Sequence, residues 1–112
     1  MYFYIVRMEG TNYCKWGIAE DLKNRMYQYK THNPFDMEII YLKENLNYEL
    51  AKNLESYLFF NDFIALKRIN NRNEWVELNE LERKKITDEL ELYIKDSKRK
   101  KSKEKEYYVQ SE

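Results

Sequence analysis

Residues 13–29, YCKWGIAEDLKNRMYQY, carry the chain from a short strand through a glycine and straight into a helix. Tyr13 to Ile18 is apolar and β-favouring. Gly17 has no Cβ, so backbone or a ligand can approach closely there. Glu20 and Asp21 place negative charge just past the strand, in the first turn of the next element, which favours a helix start. On that helix Leu22, Met26 and Tyr29 fall at i, i+4 and i+7 and form a core stripe. Arg25 sits at the edge of the stripe. A guanidinium beside the buried face of a small domain has an anion to hold, either a carboxylate of the protein or a phosphate.

Working outward, Tyr2-Phe3-Tyr4-Ile5-Val6 is a continuous β-favouring run and reads as a central strand covered on both faces. Glu9-Gly10-Thr11-Asn12 supplies turn chemistry, so this strand and residues 13–18 form a hairpin. The helix from about Glu20 should end before Asn33-Pro34. Residues 37–42 read as a third strand. Asn47 caps a second helix running to about Asn61, with Leu50, Leu54, Tyr57 and Leu58 on its apolar face. Residues 63–73, with Lys67, Arg68 and Arg72 among asparagines, read as a basic, polar loop. Residues 74–78 alternate as a short strand, and Asn79 with Glu82 starts a last helix carrying Ile86, Leu90 and Tyr93 on one face. The fold class is α/β (α+β), a small antiparallel three-stranded sheet flanked by helices.

A chain of 112 residues allows one domain, expected over residues 1–95, and 16% aromatic residues can fill its modest core. The charged tail, residues 96–112, is expected to be disordered or an isolated helical extension. The single cysteine, Cys14, excludes an internal disulfide framework and reads as a small packing residue. No apolar run approaches membrane-span length, so no membrane partner and a cytoplasmic location are expected. Charge is balanced at 20 basic and 20 acidic residues; with 6 and 4 of these in the tail, the body holds 14 and 16. A slightly acidic body excludes broad nonspecific coating of nucleic acid, so any phosphate contact must be local.

The hairpin and the helix after it resemble the GIY-YIG nuclease family. That family opens with a Gly-Ile-Tyr strand, then has about ten residues, then Tyr-Ile-Gly and a helix carrying an arginine. Here the two elements read Tyr2-Phe3-Tyr4 and Lys15-Trp16-Gly17, and residues 17–25, GIAEDLKNR, follow the glycine-to-arginine run. Tyr29, four residues past Arg25, matches the excision-repair branch. Tyr2 replaces the family's first glycine and Lys15 its second tyrosine. Glu74-Trp75-Val76 resembles the Glu-Trp-aromatic strand of one branch.

The resemblance implies a metal-dependent endonuclease acting on DNA. Tyr4, Lys15, Arg25 and Tyr29 would be catalytic. Gly17, Lys67, Arg68 and Arg72 would contact substrate, and Glu55 would hold Mg2+ or Mn2+. Taken by themselves, these residues have simpler readings. Tyr4 lies in an aromatic strand, where such a residue is ordinarily core with a satisfied hydroxyl. Glu55 has Ala51, Leu58 and Phe59 as helical neighbours, so it either pairs with a cation such as Arg25 or holds a metal. His32 reads as a surface residue. Lys15 could serve as a second cation on the phosphate. The alternative to a nuclease is an inactive module of the same fold that binds nucleic acid or a protein as regulator or decoy. A domain this short would draw specificity from its own loops, a homodimer or a protein partner.

Overall fold

The computed structural model describes residues 1–69 and 75–110, with side chains through residue 98. Its elements are β1 (Tyr2–Met8), β2 (Tyr13–Ala19), α1 (Leu22–His32), β3 (Met37–Lys43), α2 (Tyr48–Phe59), α3 (Asp62–Leu66), β4 (Val76–Glu77) and α4 (Glu80–Gln110). The strands form one antiparallel sheet in the order β3-β1-β2-β4. It is therefore an α+β fold with helices on the sheet.

Strand β1 is central, and its alternation divides the molecule into two layers. Phe3 and Ile5 point into the main core with Cys14, Leu54, Leu58, Ile64, Val76, Leu78, Ile86, Leu90 and Ile94. That core lies between the sheet and the helices α2, α3 and α4. Tyr4 and Val6 point the other way, where Leu22, Met26 and Tyr29 of α1 pack over them with Met37 and Leu42. All four of these β1 residues are buried, as a strand covered on both faces requires. The second layer is thin, because α1 contributes no fully buried residue.

Local chemistry sets the element ends. Gly10 adopts a φ of 78° in the β1–β2 turn, where a side chain would be strained, and Thr11 closes that turn by donating its hydroxyl to the Met8 carbonyl at 2.8 Å. Asp21 caps α1 by accepting from the Asn24 amide at 3.0 Å, one residue after the expected start. Asn47 caps α2 through the Leu50 amide at 2.7 Å. Asn79 and Glu82 exchange side-chain bonds with each other's amides at 2.9 and 3.0 Å, a reciprocal cap that opens α4.

Three expectations need correction. The sheet has four strands, because Val76–Glu77 pairs with Tyr13 and Cys14 at the edge of β2. The second helix stops at Phe59, since Asn61 caps a new helix by accepting from the Ile64 amide at 3.1 Å. The segment read as a loop from residue 63 therefore begins as α3, whose Ile64 is buried in the main core and whose Phe63 packs against it. Helix α4 continues through residues 96–110 as a backbone helix. Among the described residues no helix is long and apolar enough to cross a membrane.

Candidate active site

The β1–β2 register sets Tyr4 directly opposite Gly17, and both face α1. The absent Cβ of Gly17 leaves the space that the Tyr4 ring fills; a methyl group there would lie 2.5 Å from the hydroxyl oxygen. Tyr4 is fully buried, and its hydroxyl is 2.6 Å from that of Tyr29. Arg25 Nη1 donates to the same Tyr4 oxygen at 3.1 Å. Arg25 and Tyr29 stand one helical turn apart on α1, so both reach one point of the sheet. Among the described residues the half-buried Arg25 pairs with no carboxylate.

These neighbours act on the Tyr4 proton in opposite directions. Burial pushes the phenol well above its ordinary range, and the hydrogen bond and partial charge of Tyr29 add to the rise, while Arg25 pulls it down. The net effect keeps Tyr4 neutral in the free protein. For Arg25, burial is the largest single influence and works against the charge, but the Tyr4 and Tyr29 hydroxyls together outweigh it, so the guanidinium holds its proton more firmly than usual.

Lys15 also faces this layer and is 7% exposed. Its ammonium lies 4.3 Å from the centre of the Tyr29 ring and 4.8 Å from that of Trp75. Two aromatic faces make a desolvated ammonium tolerable there. Local sequence presents Trp75 only as part of an alternating strand; its role as a wall of the lysine pocket depends on the β2–β4 pairing, which no local pattern reveals.

Glu55 stands on α2, which packs on the other face of the sheet. Its carboxylate bonds Lys52 one turn earlier at 3.2 Å, not Arg25, and its carbonyl accepts from the Trp16 indole at 3.2 Å. Tyr4, Arg25, Tyr29, Gly17 and Lys15 are thus brought together, while Glu55 belongs to the helix across the sheet; Trp16, between Lys15 and Gly17 in β2, ties that helix to the same strand. Lys67 is engaged by Glu82 at 2.8 Å. The Arg68 guanidinium stacks 4.6 Å from the Phe59 ring centre and donates to the Phe59 carbonyl. Arg72 lies outside the described residues. His32 is exposed, and Cys14 is buried with its thiol pushed up to about 11 by desolvation, so it is inert packing.

Among the described residues no group of three or more His, Cys, Asp or Glu side chains could hold a metal, so no all-protein cage is built there. Glu55 alone, with its side chain 33% exposed, suits a hard divalent cation that takes one carboxylate and completes its shell with water and phosphate oxygens. The Lys52 pair does not forbid this, since an exposed i, i+3 ion pair is weak.

The model of the T5orf172 domain family matches residues 1–92, which span all four strands and reach into α4. Neither a curated protein nor a solved structure matches the chain.

Proposed function

The chain belongs to the T5orf172 domain family, a nuclease-like family, and on that premise we propose that it is a metal-dependent endonuclease of the GIY-YIG type that hydrolyses phosphodiester bonds in DNA. The observation that carries this reading is Arg25. A half-buried guanidinium that bonds a tyrosine hydroxyl and no carboxylate among the described residues is a built anion site, and its planar fork fits a phosphate.

In this reading the scissile phosphate lies against Arg25, which offsets the charge that develops on its oxygens. Tyr29 is the half-exposed member of the hydroxyl pair and therefore the one that meets the attacking water. For this Tyr4 must first give up its own proton to solvent, a loss that Arg25 favours and burial opposes; Tyr29 then takes the water's proton as it passes its own inward to the Tyr4 phenolate. Lys15, held between the Tyr29 and Trp75 rings, adds positive charge beside the pair. Gly17 leaves room for the Tyr4 hydroxyl to sit beneath Arg25. Glu55, on the helix across the sheet, would hold Mg2+ or Mn2+, and such an ion would supply Lewis-acid charge to the reaction.

One observation favours a second reading, a module that binds DNA without cutting it. Burial holds the Tyr4 phenol neutral in the free protein, which opposes its use as a base. One experiment separates the two. Plasmid and single-stranded DNA are incubated with the protein and Mg2+ or Mn2+, beside a chelator control. Cleavage that the chelator stops supports the nuclease; binding without cleavage under every metal leaves the binding module.

A further inference from the structure

The α2–α3 elbow exposes two adjacent aromatic rings. Phe59 is 37% exposed, and Phe60, which caps the end of α2, is 77% exposed. Their centroids are 5.0 Å apart at 82°, an edge-to-face pair that presents the Phe60 ring outward. The Arg68 guanidinium lies 4.6 Å from the Phe59 centre, so a cation is fixed against the same elbow. Glu55 precedes Phe59 by four residues on the same side of α2, about 6 Å along the axis. An apolar ring beside a fixed cation, one turn from a candidate metal carboxylate, matches a ligand that carries flat rings and negative charge together.

We propose that the Phe59–Phe60 elbow is a stacking platform for an unpaired nucleotide of bound DNA, with Phe60 taking the base and Arg68 the backbone charge. This rests on the nuclease reading for the direction of the strand, and it adds a substrate class: DNA with single-stranded character. A base inside a duplex keeps both faces in its stack, so away from a duplex end only an unpaired base can lie on Phe60. Stacking on an aromatic side chain tolerates any base, so the platform selects strand state and not sequence.

The test uses the full chain in chelator, where no cutting occurs, with a labelled oligothymidine and a blunt duplex of equal length followed by fluorescence anisotropy. Phe60→Ala should weaken oligothymidine binding by about tenfold or more and leave duplex binding unchanged. Phe60→Trp should retain the affinity, and its added indole emission should be quenched by oligothymidine. Oligothymidine binding by Phe60→Ala at the wild-type level overturns the proposal, as does an unquenched Phe60→Trp. Self-association in sedimentation velocity that Phe60→Ala abolishes while oligothymidine binding stays unchanged overturns it in favour of a protein-docking face. Because the readout is binding without metal, a chain that cuts no DNA can still show the platform. A chain that cuts, with Phe60→Ala binding oligothymidine normally, loses this inference alone.

Discussion

The Tyr4 hydroxyl occupies the space where a side chain at Gly17 would begin. A methyl group at position 17 would lie 2.5 Å from Oη and 2.9 Å from Cζ, and neither atom can retreat, because the Tyr4 ring is fully buried. Gly17→Ala should therefore cost about 1–3 kcal/mol in urea unfolding, the usual penalty for overpacking a filled site. It should also displace the Tyr4 hydroxyl from Arg25 and stop cleavage. An unchanged unfolding midpoint would mean that the Tyr4 ring has room the packing does not indicate.

Arg25→Lys keeps the charge and loses the planar fork. If the guanidinium holds the phosphate, single-turnover cleavage should fall at least about a hundredfold. Cleavage within a few fold of wild type would make Arg25 a counter-charge for the tyrosine pair and nothing more.

Tyr4→Phe should eliminate cleavage while DNA binding persists, and it also has a signature that needs no substrate. Burial raises the folded Tyr4 pKa above that of an unfolded phenol, which ionises near about pH 10. Above that pH the unfolded chain gives up a proton that the folded chain keeps. Stability is thus present in full below about pH 10 and is lost as pH climbs towards the folded value. Tyr41 acts in the same direction, raised by burial and by its bond to Glu91. Tyr4→Phe should make the alkaline fall in melting temperature shallower, leaving the parts due to Cys14, Tyr41 and Tyr57. Identical slopes in the two proteins would show that Tyr4 ionises freely when folded.

Glu55→Gln removes the charge at constant shape, so it should abolish metal-dependent cleavage and leave the melting curve in place. Lys52→Ala frees the carboxylate from its 3.2 Å ion pair and should tighten Mn2+ binding by a few fold, read by titration calorimetry. Full activity in Glu55→Gln would remove this residue from the mechanism.

Much of the fold is legible because it is local. Asn47 and the Asn79–Glu82 pair announce their helices by chemistry that spans three residues, and the alternation of Phe3, Tyr4, Ile5 and Val6 requires cover on both faces of β1. The break after Phe59 is hidden in the sequence because Phe60 and Asn61 continue a helical pattern. Only the Asn61 bond to Ile64 shows that a new helix begins there. At the site, the β1–β2 register and the first turns of α1 bring Tyr4, Gly17 and Arg25 to one point, while Glu55, which the resemblance would set in the same cleft, stands on the helix across the sheet. The environment of Lys15 is not legible, since its two aromatic walls come from α1 and from Trp75, far apart in the chain. Nor is the side of the sheet on which Glu55 stands, because a helix's position relative to a sheet is a tertiary fact.

The two layers on β1 are unequal in depth, and that inequality reaches the chemistry. Helix α1 supplies Arg25 and Tyr29 yet has no fully buried residue, whereas the opposite face holds the main core. Few buried contacts mean a small free energy of local opening, so α1 should exchange its amide hydrogens well before β1 does. The proposed anion site is then assembled in part by a helix that opens more readily than the strand beneath it. A phosphate bridging Arg25 would slow exchange across α1 selectively, and occupancy of the site would be readable as protection of one helix.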